Sequence, residues 1–307
     1  MAKLKYSFFP GCVTPLRLNN YELATRNLAK TLGIELLEME GAGCCGATVI
    51  KSLDYGSWLT IAARNICIAE EKGANILTLC PTCSGTLGTV NETLRQNAKL
   101  RNTVNKALRK VGKKFKGTLE IRHMVRALVE DVGLENVKSG VKMPFKGLRV
   151  VAHYGCHLVK PSEYVKFDDP EIPKSLDELI NLTGAESVDY VGKEKCCGAP
   201  LMAVDEDLSR FIGREKLLNM KKAKADAIVT VCPFCHIMLN SNQQLIEETF
   251  GEKYEIPVLH YPQLLGLSMG LTPEQVGLQE NGRNANSILK HLPTTKNFQP
   301  EKLVSKK

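Results

Sequence analysis

Ten cysteines that follow one pattern twice constrain this chain more than any other feature of its sequence. In each copy, a single cysteine is followed by the motif Cys-Cys-Gly and then by the motif Cys-Pro-x-Cys. The interval from the doublet to the Cys-Pro-x-Cys motif is 35 positions in both copies, whereas the preceding interval is 32 positions in one copy and 40 in the other. A register kept over this length predicts an internal duplication.

The sequence around the cysteines repeats as well, and it predicts an α/β fold. The strand-like run "LKYSFFPGC" is matched by "LRVVAHYGC", and the apolar run "ANILTLCPTC" is matched by "DAIVTVCPFC". Runs of the second kind are typical of strands that are buried on both faces, and helical patterns separate them. Because strands alternate with helices, each half is predicted to form a parallel sheet wrapped by helices.

Two domains and a C-terminal extension follow from this repetition. We place the first domain at residues 1–140 and the second at residues 148–270, with a linker rich in glycine, lysine and proline at 135–147. The extension, residues 271–307, is polar, and we expect it to be extended or partly mobile.

The cysteines stand where predicted strands end. Side chains that follow parallel strands collect at the carboxyl edge of the sheet. The single cysteine and the first cysteine of Cys-Pro-x-Cys each follow one strand, and the doublets follow "IELLEME" and "ESVDYVG". All five sulfurs of a half are therefore predicted to converge on one edge of its sheet.

Five converging sulfurs in each half point to a metal centre. Neighbouring cysteines have poor geometry for a disulfide, and clustered cysteines in an intracellular chain favour metal binding. Zinc would use four sulfurs, as would an ordinary four-iron cubane. Either one cysteine in each half is a spectator, or the centre is a larger iron assembly; zinc in one half and iron in the other is a third possibility. Gly46 and Gly198, which follow the doublets, are expected to let the backbone turn there.

The pattern as a whole resembles the B subunit of the heterodisulfide reductases. The resemblance extends over nearly the whole chain and includes "HYGCHLVKPS", "CCGAPL", "LTIAARNICIAEEKGANILTLC" and "YPQLLGLSMGLTPEQVGL". It implies two Rossmann-like domains related by a pseudo-twofold axis, each binding one noncubane [4Fe-4S] cluster. The implied ligands of the first cluster are Cys12, Cys44, Cys45, Cys80 and Cys83. The implied ligands of the second cluster are Cys156, Cys196, Cys197, Cys232 and Cys235.

The resemblance also implies an activity and partners. The family reaction reduces a disulfide, the coenzyme M–coenzyme B heterodisulfide of methanogenesis, to two thiols between the two clusters. The implied partners are a C subunit with cubane iron–sulfur clusters, which donates electrons, and a flavin-containing A subunit. Two alternatives remain open at this stage. One is an electron-transfer subunit of a complex that oxidises sulfur compounds or organic acids, and the other is a zinc-stabilised scaffold.

His153, His157 and Lys160 surround Cys156 and are the candidate proton donors for such a reaction. Histidine titrates near neutral pH and can donate a proton to a leaving thiolate. The alternative for either histidine is a hydrogen bond to a sulfur or a backbone group.

For six further residues, the sequence favours a structural role or allows one beside a functional role. Lys193 and Lys195 either steer an anionic substrate or are solvated loop residues, and His236 either starts a helix or supports a ligand. His123 is expected to end a strand and pack, and Cys67 to be a buried free thiol. Trp58, on the same helix as Cys67, is expected in the core.

Composition and charge restrict the setting of the protein. No run approaches the roughly 20 apolar residues of a membrane span, and the first residues lack the apolar stretch of a signal peptide. We therefore expect a cytoplasmic protein with no membrane span. The net charge is +8, but the basic runs 106–117 and 301–307 lack the features of nucleic-acid binding. The charge suits an anionic disulfide or an acidic protein partner.

Overall fold

The protein contains two four-stranded parallel sheets with helices around them, as a computed structural model describes for residues 4–282 and 284–294. The basic run 301–307 lies outside the described residues. The first sheet consists of β1 (Lys5–Phe9), β2 (Glu35–Glu38), β3 (Ile76–Thr78) and β4 (Ile121–His123). The second sheet consists of β5 (Arg149–His153), β6 (Glu186–Ser187), β7 (Ala227–Thr230) and β8 (Val258–His260).

Both sheets have the same strand order, which confirms the predicted α/β fold. The orders are β2-β1-β3-β4 and β6-β5-β7-β8, and all pairings are parallel. The two central strands β3 and β7 are buried along their whole length, as their apolar sequences predict. The sheets fall within the two predicted domain ranges; the domain boundaries themselves stay a prediction.

Helices connect the strands in each half in the order that the sequence predicts. The first half contains α1 (Thr14–Arg17), α2 (Asn19–Thr31), α3 (Ala47–Leu53), α4 (Tyr55–Lys72), α5 (Pro81–Gln96), α6 (Ala98–Leu108), α7 (Met124–Arg126) and α8 (Leu134–Ser139). The second half contains α9 (Ser162–Val165), α10 (Ser175–Leu182), α11 (Glu206–Lys222), α12 (Pro233–His236), α13 (Gln243–Phe250) and α14 (Tyr261–Ser268). Shorter helical turns occupy Arg109–Val111, Ala127–Val132, Cys156–Leu158, Ala199–Leu201, Ile237–Ser241, Leu278–Asn281 and Ala285–His291.

The long helices α4 and α11, which come after the first and second doublets, begin with equivalent caps. The Asp54 carboxylate accepts from the backbone N–H of Ser57 at the start of α4, and the Asp205 carboxylate accepts from that of Leu208 at the start of α11. A side-chain oxygen at this position satisfies one of the free N–H groups of the first turn. Similar local signals thus set the start of similar helices in the two copies.

The longer first interval of the second copy corresponds to residues 156–174. This segment contains the turn after Cys156 and the short helix α9. It then bends at Asp168, whose carboxylate accepts from the backbone N–H groups of Lys174 and Ser175 and so fixes the start of α10.

The predicted linker, residues 135–147, is a packed segment rather than a loose connection. It includes part of α8, and Phe145 is fully buried. The backbone N–H groups of Met143 and Phe145 donate to the carbonyls of Ser268 and Thr183, respectively, which belong to the second half. Buried residues of the two halves also belong to shared hydrophobic clusters.

The described part of the C-terminal extension is folded, so the expectation of an extended or mobile segment is wrong for residues 271–282 and 284–294. Leu278, Ile288 and Leu289 are buried in the core. The buried Asn281 side chain donates to the Val258 carbonyl and exchanges hydrogen bonds with Gln263. These contacts pin the extension to β8 and α14. Residues 295–307 lie outside the described part of the chain.

Across residues 4–282 and 284–294, every helix is too short or too polar to cross a bilayer.

Candidate metal centre

The five cysteines of the first half lie together at the carboxyl edge of their sheet. The thiol of Cys44 contacts that of Cys45, and Cys12 lies beside Cys44. Cys45 in turn contacts Cys83, and Cys83 contacts Cys80. Cys12 and Cys44 are exposed, whereas the other three are buried. The predicted convergence of the five sulfurs is present in the fold.

The second half repeats this arrangement and joins it to the first. The thiol contacts run from Cys156 to Cys196, then to Cys197, Cys235 and Cys232. The sulfurs of Cys197 and Cys235 are 3.4 Å apart.

At the boundary between the halves, Cys232 contacts Cys80. All eleven cysteines are free. The ten cysteines of the pattern therefore form one continuous group of thiols.

The Cys-Pro-x-Cys motifs place sulfurs at helix N-termini. Cys80 precedes α5 and Cys232 precedes α12, and a proline occupies the first turn of each helix. The backbone N–H groups of Thr82 and Cys83 donate to the Cys80 sulfur. Such donors and the N-terminal end of a helix favour the thiolate, which is the form that binds metals.

Glycine after each doublet is required by the backbone. Gly46 has φ 84° and Gly198 has φ 88°, in the left-handed region. The backbone N–H of each glycine donates to the first sulfur of its doublet, Cys44 or Cys196, at 3.4 Å. A Cβ on Gly198 would lie 2.6 Å from the Ser209 carbonyl oxygen, so this loop also passes too close to α11 for any side chain.

Two side chains of the first half hold the two Cys-Pro-x-Cys strands together. The Tyr21 hydroxyl donates to the carbonyls of Leu79 and Val231, the residues that precede Cys80 and Cys232. His123 Nε2 lies 3.3 and 3.1 Å from the same two oxygens.

Burial lowers the pKa of His123 to about 4, so the ring is neutral. Its Nδ1 accepts from the backbone N–H of Val125, which places the ring proton on Nε2, toward the carbonyls. His123 ends β4 and packs, as predicted.

A stack of three buried rings lies beside this boundary. Tyr21 stacks on His260 with ring centroids 3.9 Å apart, and His260 stacks on His236 at 4.0 Å. Burial lowers the pKa of His236 to about 3. The sequence indicated His236 as a helix-start residue or a support for a ligand, and it did not point to Tyr21 or His260. One signal was available, because His260 ends β8 as His123 ends β4.

A cavity of about 290 Å³ lies between the halves. The first half contributes Ala47, Val49, Pro81 and Thr82 to its wall. The second half contributes its five cysteines, Cys156, Cys196, Cys197, Cys232 and Cys235. The cysteines of the first half do not line it; Cys12 and Cys44 line a separate cavity of about 570 Å³. The two sets of sulfurs are thus adjacent through Cys80 and Cys232 but open onto different cavities, whereas the implied reduction of a disulfide between the two clusters would need both sets at one cavity.

The candidate proton donors occupy three different environments. His157 lines the 290 Å³ cavity. His153 is buried beneath the sulfurs, with Nδ1 3.2 Å from the Tyr190 hydroxyl. Lys160 lies outside the cavity wall and pairs with Glu171 at 3.1 Å. The structure therefore brings one of the three, His157, to the cavity surface.

Three of the remaining residues singled out from the sequence are structural: Lys193, Cys67 and Trp58. Lys193 forms a half-buried ion pair with Asp177 at 2.7 Å, so it is neither free to steer a substrate nor a solvated loop residue; Lys195 is exposed. Cys67 is buried in α4, and burial raises the pKa of its thiol to about 12. Trp58 is buried in the core, as expected.

The fold and the clustered thiols define a protein built from two cysteine-rich domains. The family model "CCG: Cysteine-rich domain" matches residues 6–88 and 150–240. The B subunit of a ferredoxin/F(420)H(2)-dependent CoB-CoM heterodisulfide reductase from Methanosarcina acetivorans is 40% identical over 284 residues, 92% of this chain and 94% of the relative. The chain belongs to the family of heterodisulfide reductase B subunits, and this confirms the resemblance read from the sequence.

Other relatives show the breadth of the family. A protein from Archaeoglobus profundus, named for its likeness to the heterodisulfide reductase B subunit, is 36% identical over 89% of this chain and 93% of the relative. An "8-methylmenaquinol:fumarate reductase membrane anchor subunit" from Wolinella succinogenes is 31% identical over 92% of this chain and 99% of the relative. The crystal structure of a hypothetical protein from Helicobacter pylori matches with TM-score 0.72 and 16% identity, over 91% of this chain and 51% of that one, and it supports the fold alone.

Proposed function

We propose that this chain is the disulfide-reducing subunit of a heterodisulfide reductase complex, with CoM-S-S-CoB as its substrate. The reaction is R–S–S–R′ + 2e⁻ + 2H⁺ → R–SH + R′–SH. The observation that carries the proposal is the continuous group of ten free thiols beside a cavity formed by both halves. The relatives named for CoB-CoM heterodisulfide reductases supply the substrate class.

The ten cysteines suit two iron–sulfur clusters, one in each half. Five neighbouring thiols in each half exceed the four that a zinc ion or a cubane takes, which favours the noncubane [4Fe-4S] form. The sulfurs of Cys45, Cys80 and Cys197 accept hydrogen bonds from backbone N–H groups two or three residues further along the chain, and such donors stabilise thiolate ligands of a metal. When bound, such clusters supply the one-electron transfers that a two-electron reduction needs.

The cavity side chains would bind the disulfide and exclude water. Pro81, Met202 and Phe234 give the wall an apolar character, and none of the residues that line it is acidic or a lysine or arginine. A volume of about 290 Å³ is at the lower end of small-molecule sites, roughly 300–1,000 Å³. It suits the S–S bond and adjoining methylene groups, with the anionic ends of the substrate directed outward.

His157 is the residue to which we assign proton donation. Among the described residues that line this cavity, it is the one titratable side chain other than cysteine. A donor must reach the departing sulfur directly or through one water. His153 and Lys160, the other candidates from the sequence, lie beneath the sulfurs and outside the wall, respectively, and take no direct part in this proposal.

Exposed apolar side chains near both cavities suit docking of partner subunits. Leu16 lines the first-half cavity and is 80% exposed, and Val49 lines the cavity between the halves and is 67% exposed. Exposed apolar groups around a functional site often mark protein contacts. We propose that the cubane-bearing C subunit docks there to deliver electrons, within a complex that also contains the flavin-bearing A subunit.

A second candidate function is electron transfer without disulfide chemistry. The 31% identity to a fumarate reductase subunit from Wolinella succinogenes favours it, since that relative is not named for a disulfide substrate. In this case the chain would relay electrons between partner proteins through the same cysteines.

The test uses anaerobically purified protein with its metal content measured first. About eight irons per chain with acid-labile sulfide is expected, whereas about two zincs would support the zinc scaffold. The protein is then given a reduced viologen dye and CoM-S-S-CoB, and released thiols are counted. Two thiols per disulfide support the reductase, and none from a protein with intact clusters leaves the electron-transfer function.

Two cysteine variants provide a matched pair for this test. Cys197→Ser should lower the iron content and stop thiol release, because Cys197 contacts both Cys196 and Cys235. Cys67→Ser is the control, since Cys67 is buried in α4 outside the group of ten. Equal iron and equal activity in the two variants would contradict the ligand assignment.

A further inference from the structure

The two halves differ at one buried position beside the sulfurs. Phe9 and His153 each end the first strand of their sheet, three residues before Cys12 and Cys156, and both are almost fully buried. The duplication thus places a hydrocarbon ring in one half and an imidazole in the other. A buried imidazole needs hydrogen-bond partners for both nitrogens, which a phenyl ring does not.

His153 has a partner on one side of its ring only. Its Nδ1 lies 3.2 Å from the Tyr190 hydroxyl, whereas Nε2 is buried with no hydrogen-bond partner among the described residues. A ring nitrogen of His153 and the sulfurs of Cys197 and Cys235 all lie within 4.8 Å of one another. The side chain without a complete set of partners therefore stands next to two proposed cluster ligands.

Tyr190 is itself held in place from the other side. The Lys216 ammonium lies 5.3 Å from the centroid of the Tyr190 ring and donates to the carbonyls of Gly192 and Lys193. Lys216 is only 3% exposed. Lys216, Tyr190 and His153 thus form a buried polar row, which ends at the sulfurs of the second half.

The equivalent positions of the first half, all of them described, do not form such a row. The residue six positions before its doublet is Glu38, where the second half has Tyr190. Glu38 pairs on the surface with Arg26. Arg64 stands where the second half has Lys216, and it donates to the Gly41 carbonyl. The difference therefore extends over three positions and is not confined to one substitution.

We propose that His153 is a positioning residue whose Nε2–H, without a partner among the described residues, would donate to a sulfur of Cys197 or Cys235 in the iron-loaded protein and so make the second-half cluster the easier one to reduce. The inference rests on the proposed clusters. Reduction adds negative charge, and an N–H donor to a ligand sulfur stabilises that charge, so the reduction potential rises. The second-half cluster would be held by cysteines that line the cavity between the halves, so a higher potential there would favour electrons at that cavity.

We assign the Tyr190 hydroxyl as the donor to His153 Nδ1, 3.2 Å away, which places the ring proton on Nε2. Tyr190→Phe removes this constraint while keeping the ring beneath Lys216.

The experiment is a redox titration of the iron-loaded full chain. Electron paramagnetic resonance monitors the clusters, and no disulfide is present. In wild type, two midpoint potentials are expected. His153→Phe copies the first half. In this variant the higher midpoint potential should fall by about 59 mV. For a one-electron couple, that shift is an approximately tenfold drop in the ratio of reduced to oxidised cluster at the wild-type midpoint. Tyr190→Phe should lower the same midpoint potential. His153→Gln, whose amide can donate a hydrogen bond, should keep that midpoint closer to the wild-type value than His153→Phe does.

Iron content and the lower midpoint serve as internal controls. Both should be unchanged in His153→Phe. If His153→Phe lost iron, the higher midpoint potential of Tyr190→Phe would be compared with that of wild type instead. Equal midpoints in wild type, or an unmoved midpoint in both variants, would overturn the role of His153. A directly bound nitrogen, seen as a strong hyperfine coupling that is lost in His153→Phe, would also overturn it by making His153 a ligand. A chain that binds no iron would refute the proposed clusters instead.

Discussion

Replacing Gly198 by alanine tests whether the backbone of the doublet loop is as constrained as the structure indicates. Gly198 has φ 88°, and an alanine Cβ there would lie 2.6 Å from the Ser209 carbonyl oxygen and 3.2 Å from Ile212 Cβ. The left-handed conformation costs an alanine about 1–2 kcal/mol. Forcing atoms apart in a packed region costs about 1–3 kcal/mol more. We therefore expect Gly198→Ala to lower the free energy of unfolding by about 2–5 kcal/mol.

Gly251→Ala is the matched control for this substitution. Gly251 has φ 65°, and a Cβ added there would have no neighbour within 4 Å. Only the conformational cost applies, about 1–2 kcal/mol. Unfolding by guanidinium, followed by circular dichroism under anaerobic conditions, should separate the two variants.

Iron content adds a second measurement to the same pair. The loop that Gly198 shapes carries Cys196 and Cys197, so Gly198→Ala should bind less iron, and Gly251→Ala should bind the wild-type amount. Unfolding of both variants at the same guanidinium concentration, with the same iron content, would refute the predicted constraint on the doublet loop.

Two further predictions concern the boundary between the halves and the C-terminal extension. Burial lowers the pKa of His123 to about 4, below the 6.5 or so of an unfolded histidine. The unfolded chain therefore binds this proton more readily, and stability should be lost as the pH falls from about 6.5 towards 4, by at most about 3 kcal/mol. His123→Gln, which keeps a donor to the carbonyls, should reduce this loss in unfolding curves measured at several pH values, and an identical pH dependence would contradict the assignment. Asn281→Ala should cost about 2–4 kcal/mol, because it removes hydrogen bonds to the buried Asn20 and Gln263 side chains and to the Val258 carbonyl. Limited proteolysis should then cut within residues 271–294 faster than in wild type, and an unchanged rate would refute the anchoring role.

The sequence predicts the sheets and the grouping of sulfurs because both depend on local order. A buried apolar run such as the one before Cys80 is typical of a central parallel strand, and its carboxyl end must lie at the sheet edge where ligands collect. The duplication then carries the same reasoning to Cys232. The strand order, identical in both sheets, is set by packing between distant elements and leaves no comparable trace in the sequence.

Side-chain contacts between separate elements of the fold are what the sequence conceals. Tyr21 is one aromatic residue in an ordinary helical pattern, and its link to Val231 spans most of the chain. Lys193 resembles a loop lysine until its contact with Asp177 is known. The extension looks mobile because it is polar overall, yet Asn281 places its polar groups against buried partners and so behaves as a core residue.

The contact between Cys80 and Cys232 bears on why two copies are fused in one chain. Both residues are only 4% exposed, and each lies against the other copy. A lone copy would present its innermost sulfur to oxygen and to stray metal ions, which attack accessible thiolates most readily. Covalent linkage keeps the two surfaces at high local concentration, so neither sulfur waits unprotected for a separate molecule to arrive.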